Sequence, residues 1–161
     1  LYAIACGVSA VPELRTRFRA DGSVVQHDNL VLGTIALADG GFGFGYIDHD
    51  PDWTRFDAAA RAEIDAVRAG AERGPNDGSG RDNFVYLSCV PWLDFTSITN
   101  AMPDPDECIP RVAWGKFTPG ADGRITCALA FEVHHAIADG EHVGAAFAAT
   151  QAALDAIAPP C

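Results

Sequence analysis

Residues 84–92, FVYLSCVPW, form an unbroken apolar run of strand length. A strand wetted on one face alternates apolar with polar positions, and this one does not. It therefore predicts a strand inside a sheet, covered on both faces, and Pro91 is expected to end it because proline cannot donate to the ladder. The rest of the chain must supply that cover. Residues 1–10 read as the end of a helix. PELRTRFRADGSVVQHD reads as two short strands joined at Asp21 and Gly22, and NLVLGTIALADGGFGFGYIDHD as two strands meeting at a turn or bulge near Gly40 and Gly41. In the second pair, Phe42 and Phe44 share one face.

From Asp52 the period changes. Trp53, Phe56, Ala60, Ile64 and Val67 recur at steps of three and four, with arginine and glutamate between them, which predicts an amphipathic helix. Residues 70–83, GAERGPNDGSGRDN, have the composition of a surface loop. RVAWGKFTPGADGRITCALAFEVHH predicts two long strands around the turn TPGADGR. EHVGAAFAATQAALDAI predicts a closing helix with Val143, Phe147, Ala148, Leu154 and Ile157 inward, stopped by Pro159 and Pro160. With 161 residues, no internal repeat and no long linker, this is one domain of α/β (α+β) class, a mixed β-sheet with helices packed on it.

Charge and composition exclude several functions. The formal charge is −11 and Lys116 is the only lysine, so no basic face tracks a nucleic-acid backbone. No stretch of about 18 apolar residues offers a membrane span, and the opening LYAIACGVSAVPELRTRF is not built like a signal peptide. A soluble, cytoplasmic protein is expected, without a membrane partner. Cys6, Cys89, Cys108, Cys127 and Cys161 are odd in number and scattered, unlike a zinc site or a disulfide framework, so most should be reduced thiols packed as small hydrophobes.

The chemistry concentrates in residues 132–147, EVHHAIADGEHVGAAF, which hold three of the five histidines. Adjacent residues of a strand face opposite ways, so His134 and His135 divide between an inner and an outer environment. Read from residue types alone, three accounts stand. Both histidines can be structural, with Asp139 capping the next helix. One can be a general base, since a neutral imidazole takes a hydroxyl proton near neutral pH, with Asp139 fixing the turn that presents it. Alternatively His135, Asp139 and His142 can supply an open metal site, although no fourth acidic or cysteine ligand is near in sequence.

HHAIADGEHVG resembles the His-His-x-x-x-Asp-Gly motif of coenzyme A-dependent acyltransferases, and its run through His142, Val143 and Gly144 resembles the chloramphenicol acetyltransferase family in particular. A second block, SCVPWLDFTSITN, is similar to that family's segment in which Pro-Trp precedes Phe-Thr-Ser. Weaker similarity in PELRTRFRADG, DPDWTRF and AWGKF extends the resemblance over nearly the whole chain. It implies acetyl transfer from acetyl-coenzyme A, a co-substrate, to a hydroxyl of a small molecule, with chloramphenicol the leading acceptor, antibiotic resistance the setting and no metal required. It further implies His135 as the base, Ser97 as hydrogen-bond donor to the oxyanion, and Asp139 as a positioning residue held through an arginine. Lys116 and Phe117 match positions beside coenzyme A, the aromatic one against the adenine. Phe42 matches an aromatic of the acceptor pocket. The family is a homotrimer in which the histidine of one subunit faces a pocket largely from its neighbour.

This chain departs from the family pattern at several places. Ala113 stands where the family usually has a threonine, Glu132 where it has glutamine before the Val-His-His, and Glu141 where it has an aromatic after Asp-Gly. Relative to the family the sequence begins late, and the arginine expected to pair with Asp139 is not supplied. Two other readings follow. One is a catalytically silent ligand-binding or assembly homologue. The other is the related carrier-dependent condensation or dihydrolipoamide acyltransferase branch, against which the Pro-Trp and Phe-Thr-Ser block argues.

Overall fold

The computed structural model describes residues 1–38, 41–102, 104 and 106–157. In chain order the helices and strands are α1 (Tyr2–Ser9), β1 (Thr16–Phe18), β2 (Val24–Gln26), β3 (Val31–Ala38), β4 (Gly41–Asp48), α2 (Trp53–Arg68), β5 (Phe84–Cys89), β6 (Arg111–Trp114), β7 (Thr118–Pro119), β8 (Ile125–Thr126), β9 (Leu129–Glu132) and α3 (Gly140–Ala156). Five strands make a mixed sheet in the order β4-β3-β5-β6-β9. The apolar run is its central strand, parallel to β3 and β6. It stops at Cys89, two residues before Pro91. Gly40, Pro159, Pro160 and Cys161 lie outside the described residues, so the turn at Gly40 and the helix stop at the prolines are not addressed.

All three helices cover one face. Ile4, Ala5 and Val8 of α1, Phe56 and Ala60 of α2, and Ala146 of α3 pack with Leu32, Ile47, Val85 and Val112 in one apolar core. The glycine–aromatic alternation of GFGFGY determines how α2 sits there. Gly43 and Gly45 face the helix, and a Cβ on Gly43 would lie 2.6 Å from Val67 Cγ1. Phe42, Phe44 and Tyr46 consequently point to the other face. On that second face cover is incomplete: Phe84 is fully buried, but Tyr86, two residues on, is only partly covered.

The β1–β2 hairpin turns at Asp21 and Gly22, as expected. Gly22 takes φ +80°, and the Asp21 carboxylate accepts from the Ser23 amide at 2.9 Å. Arg17 pins the hairpin under β5. Its buried guanidinium donates to the carbonyls of Asp82 (2.9 Å), Leu14 (3.1 Å), Thr16 (2.7 Å) and Phe84 (2.5 Å), and burial pushes its pKa down to about 10.

Three expectations need correction. The segment 111–135 is not two long strands. Gly115 passes so close to the 90–95 segment that an added Cβ would stand 2.7 Å from the Leu93 carbonyl, and the Lys116 amide donates to that carbonyl at 2.7 Å. Pairing is diverted there, leaving the separate two-stranded β7–β8 ribbon. In α3 the buried residues are Ala146 and Thr150, whereas Phe147 is 39% and Leu154 53% exposed. The helix lies against α1 at Gly7, and so close an approach takes small side chains rather than large ones. In α2, Trp53 is likewise exposed.

Candidate active site

The segment after β9 is a tight, cross-braced turn. The His134 carbonyl accepts from the amides of Ile137 (3.0 Å) and Ala138 (3.1 Å), and His134 Nδ1 accepts from the Ala136 amide at 3.3 Å. The His134 ring packs edge-on against Phe18 at 5.5 Å. His135 takes the opposite situation: it is exposed, and its Nδ1 lies 3.2 Å from the Ala138 carbonyl oxygen. A carbonyl oxygen only accepts, so in the neutral ring Nδ1 carries the hydrogen and Nε2 keeps a lone pair. β9 ends at Glu132, before either histidine, so the turn rather than strand alternation separates the two rings.

Asp139 ends the turn and starts α3. Its Oδ1 accepts from the amides of Glu141 (2.9 Å) and His142 (3.4 Å) and from His142 Nδ1 at 2.7 Å. With a carboxylate oxygen that near, the Nδ1 hydrogen belongs to this bond, and the Asp139 amide 3.2 Å from the same nitrogen is left a close approach. Hydrogen bonding from His142, first, and from the helix amides holds the Asp139 carboxyl below the ordinary range. Among the described residues no arginine pairs with Asp139; His142 does, and it also reaches Glu13 at 3.6 Å. His135, Asp139 and His142 do not converge on a common point: no group of three histidine, cysteine or acidic side chains among the described residues could hold a metal ion. The four described cysteines are free.

Ser97 lies in the irregular segment between β5 and β6, exposed, with no hydrogen bond from its hydroxyl among the described residues. That segment is tethered to β9. The amide and the side-chain nitrogen of Asn100 donate to Glu132 Oε2 at 2.9 and 2.6 Å. The loop carrying Ser97 is therefore anchored three residues before His135, although no hydrogen bond links the two. Lys116 and Phe117 follow Gly115 where the strand diverges, beside the same loop. Lys116 is exposed without an ion pair among the described residues, and Phe117 is 60% exposed.

The incompletely covered face of the sheet holds a cavity of about 600 Å³. Ile35, Phe44, Leu87 and Ile109 give it apolar walls, and Tyr86 and Arg111 give it polarity. Phe42 does not line it. It is 63% exposed and packs edge-on against Phe44 at 5.9 Å. Cross-strand register explains the arrangement: Tyr46, Gly33, Tyr86, Arg111 and Glu132 stand side by side across all five strands on this face. Arg111 and Asn100 were not singled out by sequence reasoning. The available signal was a lone arginine opening the otherwise apolar strand RVAW.

The chloramphenicol acetyltransferase family model matches residues 1–151. The chain belongs to the chloramphenicol acetyltransferase family. It is 29% identical over 147 residues to the Clostridium perfringens chloramphenicol acetyltransferase, covering 89% of this chain and 70% of that protein. It is 31% identical over 96 residues to the Bacillus pumilus enzyme, covering 59% of this chain and 43% of that one. A solved chloramphenicol acetyltransferase superposes with a TM-score of 0.83 at 27% identity, over 94% of this chain and 73% of that structure. Membership in this family fits the mixed sheet and its helix layer. Among the described residues no helix is long and apolar enough to cross a membrane.

Proposed function

We propose that this chain is the acyl-transfer unit of an acetyl-coenzyme A-dependent O-acetyltransferase acting on a small-molecule alcohol, with chloramphenicol the first acceptor to try. The observation that carries the reading is the 3.2 Å approach of His135 Nδ1 to the Ala138 carbonyl oxygen, which in the neutral ring accepts the Nδ1 hydrogen and leaves Nε2 as the base. Nε2 removes the acceptor's hydroxyl proton as that oxygen attacks the thioester carbonyl. The Ser97 hydroxyl donates to the carbonyl oxygen as negative charge develops there, and the departing thiolate recovers the proton from the imidazolium. Asp139 positions, by capping α3 and holding the turn.

Lys116 and Phe117 suit coenzyme A, since a cation without a carboxylate partner and a largely exposed ring are free to meet phosphate and adenine. The cavity over β5 and β6 suits the acceptor, with Phe42 packed edge-on against the lining residue Phe44. No hydrogen bond joins His135 and Ser97 among the described residues, which favours a homotrimer whose reaction centres form between subunits.

The test is free-thiol release from acetyl-coenzyme A over a panel of alcohols that includes chloramphenicol. His135→Ala should reduce turnover to background with the circular dichroism spectrum retained. Ser97→Ala should lower kcat by about 100-fold or more, the usual effect of deleting one oxyanion donor. Undiminished turnover by His135→Ala would refute the mechanism. Ligand binding without thiol release by the unaltered protein would favour the silent homologue.

A further inference from the structure

Resting on the acceptor-pocket reading, we propose that the cavity over β5 and β6 selects an alcohol bearing both an aromatic ring and a protonated amine. Its charges do not cancel. Arg111 donates from Nη2 to Glu107 Oε2 at 2.7 Å, with both side chains largely buried, so this pair is locally neutral. The Arg111 guanidinium also lies over the Tyr86 ring, 5.3 Å from its centroid, which fixes its plane against the cavity wall. Across the β6–β9 ladder the residue directly opposite Arg111 is Glu132, on the same face of the sheet.

Glu132 reaches no cation among the described residues. Its Oε2 accepts from Asn100 twice, while Oε1 has no hydrogen bond among the described residues. Because Asn100 lines the cavity, one carboxylate is left over immediately behind the wall. An anionic acceptor would meet a cation already paired and a surplus negative charge. A neutral acceptor gains nothing from Glu132. A cationic one gains from Glu132 and from the chain's overall charge of −11, which has the same sign. The rings of Phe44, Tyr46 and Tyr86 provide faces against which an aromatic group packs and a cation is attracted.

The experiment uses three phenyl-substituted 1,3-diols, alike except at carbon 2: one with a free amine, one with an acetamide and one with a carboxylate. Thiol release from acetyl-coenzyme A gives kcat/KM for each with the 161-residue chain, and calorimetry gives binding without the co-substrate. The amine should lead the acetamide by about fivefold and the carboxylate by more, with the gap narrowing as salt rises. Glu132→Gln, which keeps an oxygen acceptor for Asn100, should close the ratio between amine and acetamide. An equal or reversed ratio in the unaltered protein overturns the inference, as does a ratio that Glu132→Gln leaves unchanged. If the amine is preferred in binding yet no diol is acetylated, the transfer reading fails and the selectivity stands. If diols are acetylated without preference for the amine, the selectivity fails alone.

Discussion

Gly7→Ala sets two physical effects of opposite sign against each other. Gly7 lies inside α1, where alanine is favoured over glycine by about 1 kcal/mol on propensity alone. Packing opposes this. A Cβ on residue 7 would overlap Thr150 Oγ1 and stand 2.7 Å from the Ala146 carbonyl oxygen. The Thr150 hydroxyl is buried and already donates to that carbonyl at 2.8 Å, and the carbonyl belongs to α3, so neither can turn away without the helix shifting. Overpacking of this kind costs about 1–3 kcal/mol, and a clash with backbone belongs at the upper end. Subtracting the propensity gain leaves a net loss of about 2 kcal/mol. For a chain of this length that corresponds to a fall in Tm of about 4–8 °C. Urea titration and calorimetry measure it. Thr150→Ala in the same background should recover part of the loss, because it removes the hydroxyl overlap and leaves the carbonyl in place. A Gly7→Ala protein as stable as the parent, or more so, would refute the close α1–α3 contact.

At the candidate site, Asp139→Asn retains a good helix cap while losing the charged bond to His142, whereas Asp139→Ala loses both. Thiol release should therefore fall much further for the alanine variant, and equal losses would show that capping does not position His135. Asp82 tests pH dependence. Hydrogen bonding from Arg19 Nε at 2.8 Å is the first cause holding its carboxyl below the ordinary range. A carboxyl with a depressed folded-state pKa stabilises the protein above its unfolded value of about 4, and that contribution disappears as pH falls through the folded value. Asp82→Asn should flatten the acid limb of a stability profile below about pH 4. An acid limb of unaltered slope would remove Asp82 from the account.

Much of this molecule was legible in the order of its residues because the signals were local. The α2 helix follows from its three-and-four spacing, the β1–β2 turn from Asp21 and Gly22, and the central strand from its unbroken apolar run. The motif HHAIADG likewise marked the turn after β9 and offered Asp139 as a cap of the next helix, both formed by residues within about eight positions of one another. What failed had a non-local cause. The inward face of α3 is chosen by Gly7, more than a hundred residues away, which rewards Ala146 and Thr150 over Phe147 and Leu154. The break after Trp114 is imposed by the Leu93 carbonyl.

The sequence by itself therefore determined most of the elements and the family resemblance, since periodicity, turn chemistry and a contiguous motif all act over a few residues. Only the tertiary structure decided that Asn100 meets Glu132, that α1 and α3 touch at Gly7, and that Arg111 stands between Tyr86 and Glu132 in one row. Those relations depend on strand register and on helices meeting across the core, and distances between segments far apart in the chain exist only once it has folded.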